Sequence, residues 1–333
     1  MKRRTVTAAI LATPILWSLP RIAPAATAFI NIGSGSTAGL YYPTAVGMAG
    51  IVNDADVNMR AYVRVTGASV ANCRQVGSGE LQMGLTQNNI AFYAYNGQGV
   101  DAFAGKPEED LRGMIMLYPE VIHILVRKLA GINSIADLQG KRVYVGDFGS
   151  GTEQDVMNLL AAYDMTSDDF RVAVRGNAGD AVNLLRDDQI DAMFYTVGVG
   201  AAAIIDAMRS GRIDLLDVPA EKVEKLHDRY PFYTPLVIPA GTYPRIDHEV
   251  SAVTLKAMLI GSAALDADVV HAFMNTVFDR NLDKFYGIAQ NPNLRKYFEL
   301  ETALQGMPIP MHAGAARFFR ERDIAVPSLR PQA

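Results

Sequence analysis

Two stretches of the chain carry the residue types that could hold a small polar molecule. Gly33-Ser34-Gly35-Ser36-Thr37-Ala38-Gly39 leads into Leu40-Tyr41-Tyr42-Pro43, and Asp147-Phe148-Gly149-Ser150-Gly151-Thr152 leads into Glu153. Glycines let the backbone approach a ligand closely, hydroxyls supply hydrogen bonds, and the first N–H groups of a following helix favour an anion. Two such helix ends facing each other across a cleft suit a small carboxylate. Either loop alone also reads as a plain turn. Gly77-Ser78-Gly79 shows how weak the tripeptide is by itself, since it follows a helix and precedes a strand, as a C-terminal cap does. Thr66-Gly67-Ala68-Ser69, Gln87-Asn88-Asn89 and Tyr195-Thr196 fall at further strand ends. Amides and hydroxyls recognise polar ligands in either orientation, while Ser69 and Asn88 would equally serve as helix caps.

Other chemistries are poorly supported. Gly33 to Ala38 fits the G-x-G-x-x-A dinucleotide fingerprint, which needs an acid at the end of the second strand for the ribose. Asp54 and Asp56 fall before that strand, which ends Val65-Thr66-Gly67-Ala68-Ser69. The five histidines, His123, His227, His248, His271 and His312, are scattered, and neither H-E-x-x-H nor C-x-x-C occurs, so no metal is expected. There is no G-x-S-x-G elbow or Walker loop. Asp168-Asp169 and Asp187-Asp188 read as solvated acids, and His123, inside an apolar strand, as a core residue with a cleft role as the alternative. No catalytic constellation emerges, so binding rather than catalysis is expected, with no cofactor. The formal charge of −4 and pI of about 5.8 do not support a nucleic-acid surface.

The elements that must position these groups follow an alternating pattern. Lys2, Arg3 and Arg4, an apolar run from Val6 to Leu19, and the small residues Ala23-Pro24-Ala25 and Ala26-Thr27-Ala28 have the order of a secretory signal. Cleavage after Ala25 or Ala28 removes Trp17 and four of the 31 basic residues and no acid, leaving 27 against 35 and a net charge of −8. Cys73 remains as a lone thiol on an apolar helical pattern, and a periplasmic product is expected. From Phe29 onward, short β-branched runs alternate with 3.6-residue periods, as parallel α/β sheets require. Strands are predicted at Met114–Leu117 and Val121–Val126, interrupted by Tyr118-Pro119-Glu120, and helices near Val250–Ser262 and Asp268–Asn281. With a second crossing between Pro231 and Pro239, the pattern predicts two lobes: residues 29–118, then 119–233, then a return to the first lobe over 234–333. Ligands in such folds bind at strand carboxyl ends, between the lobes.

The ordered motifs resemble one family, the TAXI-type extracytoplasmic solute receptors of tripartite TRAP transporters. The resemblance runs over the whole mature chain. It rests on Ile32-Gly33-Ser34-Gly35 through Tyr41-Tyr42-Pro43, Thr66 through Asn72, Gly84-Leu85-Thr86-Gln87-Asn88 and Ala94-Tyr95-Asn96-Gly97. Leu117-Tyr118-Pro119-Glu120, Leu138 through Val143, Gly149-Ser150-Gly151-Thr152, Asp191 through Gly198, Ile238 through Tyr243, and His312 with Gly314 also match. Ala68 stands where many relatives carry a second glycine. The resemblance implies a two-lobed, type II-like periplasmic binding protein, monomeric, which closes on glutamate or a related acidic amino acid or small organic acid and docks on a TRAP permease. An ABC importer is the alternative partner, and an exported enzyme a more distant one. Ligand contacts carried over are Thr37, Tyr41, Thr66, Ser69, Gln87, Asn88, Ser150, Gly151, Thr152, Tyr195 and Val197. The family offers no single arginine as a carboxylate clamp, and Arg127, just after a strand, is expected to face solvent. Hinges are expected at about Tyr118–Glu120 and Thr234–Leu236.

Overall fold

The computed structural model describes residues 27–328, so the expected export signal lies almost wholly outside the described residues. The first lobe begins with β1 (Ala28–Gly33), α1 (Tyr41–Asp54), β2 (Met59–Arg64), α2 (Ser69–Gly77), β3 (Met83–Gln87) and α3 (Asn88–Asn96). β1 and β2 hand over to their helices through polar loops and β3 runs directly into α3, and β1 pairs in parallel with both β2 and β3. The second lobe repeats the scheme with β5 (Arg142–Tyr144), α4 (Gly151–Ala161), β6 (Val172–Val174), α5 (Ala178–Arg186) and β7 (Ala192–Val197). Here β5 pairs in parallel with β6 and β7. The α/β class and the two-lobed architecture are therefore as the alternation predicts.

Two long antiparallel strands join the lobes. One, β4 (Leu111–Arg127), is continuous for 17 residues where two separate strands are predicted. The interruption expected at Pro119 is absorbed because Pro119 faces Lys256, next to a register shift in the partner strand, where a missing N–H costs little. The partner is β10 (Val250–Ser262), a strand where the sequence predicts a helix. Its nearly unbroken apolar run is compatible with a buried helix or a buried strand by periodicity alone. Its place between β3 and β4, with almost every side chain buried, decides for the strand. Val250–Thr254 also pairs with β9 (Thr234–Ile238), so residues 234–255 extend the second lobe's sheet. Further along β10, Leu255 and Lys256 pair with Glu120 and Pro119.

The remaining elements flank this frame: α6 (Ala202–Met208), β8 (Ile213–Leu215) and α7 (Ala220–Arg229) on the second lobe, with α8 (Ala267–Asn275), α9 (Leu282–Ala289), α10 (Pro292–Tyr297) and α11 (Ala313–Arg320) after β10. The first core fills the space around Ile32, Met48, Leu85, Met258 and Phe278. A second, around Ile124, Val143, Leu159, Phe194 and Leu226, lies under α4 and α7. Cys73 is fully buried, and burial pushes its thiol up to about 12, which makes it inert. Among the described residues no helix is long and apolar enough to cross a membrane.

Candidate functional site

The lobes meet across a cleft that is closed in this structure. The Gly149 carbonyl of the second lobe accepts from the Val70 and Ala71 N–H groups at the start of α2, at 3.1 and 3.3 Å. Asn177 Nδ2 donates to Ser36 Oγ at 3.1 Å. Between these contacts lies a cavity of about 60 Å³. A single water needs roughly 10–15 Å³ on this measure, so the space holds a few waters or one small solute.

Of the eleven expected contacts, the structure gathers nine around this cavity: Tyr41, Thr66, Ser69, Gln87, Ser150, Gly151, Thr152, Tyr195 and Val197. Thr37 is exposed on its loop. Asn88 turns to the other side of the hinge strands, where its Oδ1 accepts from the Lys256 N–H at 3.2 Å. The split between Gln87 and Asn88 follows from their place at the strand-to-helix junction, where neighbouring side chains leave in different directions.

One lobe supplies α2 and the other α4. The Ser150 hydroxyl caps α4 by accepting from the Glu153 N–H at 3.1 Å, and Glu153 Oε2 accepts from the Gly149 N–H at 3.2 Å. The Ser150 cap and the Glu153 bond together fix the loop, so the plain structural reading of Ser150 and the binding one are compatible. The preceding N–H groups, of Gly151 and Thr152, belong to those a helix's own turns leave unbonded, and they border the cavity. A Cβ on Gly151 would run into the Gln87 side-chain amide, so glycine there lets the lobes close. The matching end of α2 is already occupied by the Gly149 carbonyl, and the two free facing helix ends expected from the sequence reduce to one. Ala68, at φ +70°, holds a backbone conformation that favours glycine, on the cavity wall.

The charge of the site was not foreseen. No lysine or arginine lines the cavity, while Glu120 and Asp147 do. Glu120 is 3% exposed, and its Oε2 accepts from the Tyr41 hydroxyl at 2.7 Å. Burial pushes this carboxyl up to about 8, only partly opposed by the Tyr41 bond. Gln87 Oε1 and Thr196 Oγ1 are buried at the cavity without a hydrogen-bond partner. In the sequence the Leu117-Tyr118-Pro119-Glu120 stretch marks a crossing and one of the motifs of the resemblance, with no ligand role for Glu120. The one available signal was an acid in the middle of an apolar run, which is rarely buried without a partner.

Beneath the cavity, Asp155 of α4 ties the lobes together. It accepts from Gln87 Nε2 at 2.8 Å, Asn89 Nδ2 at 3.1 Å and the Tyr233 hydroxyl at 2.7 Å. Gln87 and Asn89 belong to the first lobe and Tyr233 to the second. Burial raises the Asp155 carboxyl to about 6 against the pull of these bonds.

Two further residues resolve differently from a cleft role. His123 is buried, with Nε2 2.7 Å from the Tyr243 hydroxyl and Nδ1 3.0 Å from the Val121 carbonyl. The Gly200 N–H donates to that hydroxyl at 3.0 Å. Burial pushes the imidazole down to about 4, so it is neutral and structural. Arg127 does not face solvent. It pairs with Asp188 at 2.8 Å and Asp191 at 3.5 Å, away from the cavity.

Residues 32–322 match the model of the NMT1-like family. The chain belongs to the NMT1-like family. Similar solved structures are distant in sequence. A protein of Bordetella bronchiseptica RB50 shares 16% identity over 91% of this chain and 91% of its own, with a TM-score of 0.51. The periplasmic aliphatic sulphonate binding protein SsuA of Escherichia coli shares 13% over 88% and 83%, with a TM-score of 0.45. A putative L-cystine ABC transporter protein of Listeria monocytogenes shares 14% over 82% and 98%, with a TM-score of 0.48. For this NMT1-like chain the first similarity supports the fold.

Proposed function

We propose that the protein is a periplasmic solute-binding receptor that closes on a small, amine-bearing polar solute, most simply an amino acid, and presents it to a membrane permease. The observation that carries this reading is the buried Glu120 carboxyl facing a closed inter-lobe cavity that no lysine or arginine lines. An ammonium group beside Glu120 supplies the missing counter-charge, and it donates to the unpaired acceptors Gln87 Oε1 and Thr196 Oγ1. A carboxylate at the other end meets the first N–H groups of α4 with the Ser150 and Thr152 hydroxyls. The organic acids implied by the family resemblance thus narrow to those that also carry an amine: glutamate remains in the class and 2-oxoglutarate leaves it. For the permease, the structures similar to this one whose names state a transport system are of the ABC type, which fits the ABC importer alternative better than a TRAP permease.

The reading is tested by thermal unfolding of the mature chain against a panel of α-amino acids, diamines and amine-free dicarboxylates. A solute at a hundred times its Kd adds about 2.7 kcal/mol to native stability. Amine-bearing members are expected to raise the midpoint and amine-free dicarboxylates to leave it unchanged, with the opposite ranking sinking the ligand class. Ser150→Ala with Thr152→Ala is expected to weaken binding of the same solute at least tenfold. Loss of the Ser150 cap alone costs about 1 kcal/mol of stability, so affinity is read by calorimetry rather than by midpoint. Unchanged affinity would remove the α4 loop from the site.

A further inference from the structure

Behind the hinge strands lies a second and larger hollow, of about 930 Å³, walled by both lobes. It is separate from the cleft. Neighbouring residues diverge to the two sides, Glu120 and Gln87 to the cleft, Pro119 and Asn88 to the hollow, as alternation along a strand requires. Its aromatic wall is built from α3 and the segment after α7. Phe92 packs on Phe232 with ring centroids 5.2 Å apart, and Tyr93 meets Phe232 at 6.1 Å and Tyr230 at 6.5 Å. Its charge is the reverse of the cleft's, for it is lined by Lys256 and Arg229 and by no aspartate or glutamate.

Neither cation is neutralised. Lys256 is half-buried, and its Nζ reaches only the Gln305 carbonyl, at 3.2 Å. Arg229 lies over the Tyr230 ring at 5.3 Å. Among the described residues, neither has a carboxylate within ion-pair distance. Arg229 is exposed to water, whereas Lys256 is half-buried at the mouth of an aromatic hollow with no carboxylate beside it, a position that an anion would stabilise. Burial also lowers the Lys256 ammonium below its ordinary value, a cost that a bound anion removes. The volume lies within the range of small-molecule sites.

We infer that this hollow is a second binding site, for a small organic anion with a flat apolar body whose acidic group meets Lys256 and whose body lies against Phe92, Tyr93 and Phe232. A molecule held there touches both lobes, independently of what the cleft binds. The test is fluorescence titration of the mature chain with 1-anilinonaphthalene-8-sulfonate, which has this chemistry, beside uncharged N-phenyl-1-naphthylamine. One sulfonate per chain is expected, with the neutral probe at least tenfold weaker. Lys256→Met is expected to weaken sulfonate binding about tenfold and Lys256→Arg to retain it. Glu120→Gln, in the cleft, is expected to leave it unchanged. Circular dichroism melting of each variant confirms that it is folded. Equal affinity of the two probes, or full sulfonate affinity in folded Lys256→Met, overturns the proposal. So does a folded Lys256→Met variant that binds the sulfonate normally but no longer docks on its permease, since the hollow would then be a protein contact surface.

Discussion

Glu120→Gln is expected to raise the stability of the empty protein at pH 8 by a few kcal/mol and to leave it unchanged near pH 4.5. The sign follows from proton linkage. In the unfolded chain this carboxyl titrates at its ordinary value of 4.5, while in the folded chain burial holds it at about 8. Between those values the folded state keeps a proton that the unfolded state has lost, so stability falls as pH rises through the window. The cost is complete above pH 8, with an upper bound of about 5 kcal/mol at roughly 1.4 kcal/mol per pH unit. A glutamine still meets the Tyr41 hydroxyl but carries no charge to desolvate. Several degrees of gain in midpoint at pH 8 are expected for a chain of this size. The same variant loses the counter-charge for an ammonium group, worth about 1.5–3 kcal/mol as a charge-assisted bond, so affinity for the amine-bearing solute falls at least tenfold. Parallel stability curves for wild type and variant between pH 5 and 8 would remove Glu120 from this role.

Asp155→Ala is expected to destabilise the closed form by about 3–5 kcal/mol and to open the lobes. The carboxylate is the shared acceptor for Gln87, Asn89 and Tyr233. Alanine would leave those three donors buried with poorer partners, each at about 1–3 kcal/mol. Asn89 Nδ2 and Asn158 Nδ2 still reach the Tyr233 hydroxyl, at 3.0 and 2.9 Å, which keeps the loss below the full sum. Because two of the donors come from the first lobe and Asp155 from the second, the loss falls on closure as well as on folding. Small-angle scattering of the empty protein is expected to show a larger radius of gyration for Asp155→Ala, together with a midpoint lower by at least about 5 °C. An unchanged radius with a lowered midpoint would make Asp155 a core residue rather than a latch.

The strand–loop–helix units were readable because their signals are local: a polar glycine loop, a capping residue, a period that switches from 2 to 3.6. That is why β1 to α3 and β5 to β7 lie close to where the sequence puts them. Val250–Ser262 was not readable, since a run buried on both faces has no polar side to reveal its period, and only its two neighbours make it a strand. The site divides in the same way. The hydroxyls and amides at strand ends announced themselves, whereas Glu120 lies within a long strand whose apolar surroundings suggested structure alone. What distinguishes it is burial beside a cavity, which depends on residues distant in sequence such as Tyr41. The expected anion site of two free helix ends failed on one atom, the Gly149 carbonyl that occupies the start of α2.

The most direct test is calorimetric titration of an amine-bearing solute into the mature chain at pH 7, in two buffers of different ionisation enthalpy. Glu120 is protonated in the empty cavity at that pH and must ionise to pair with an ammonium group. The account predicts close to one proton released per solute bound, and none from Glu120→Gln. Tight binding of an amine-free dicarboxylate with proton uptake, or proton release unaltered in Glu120→Gln, would contradict it.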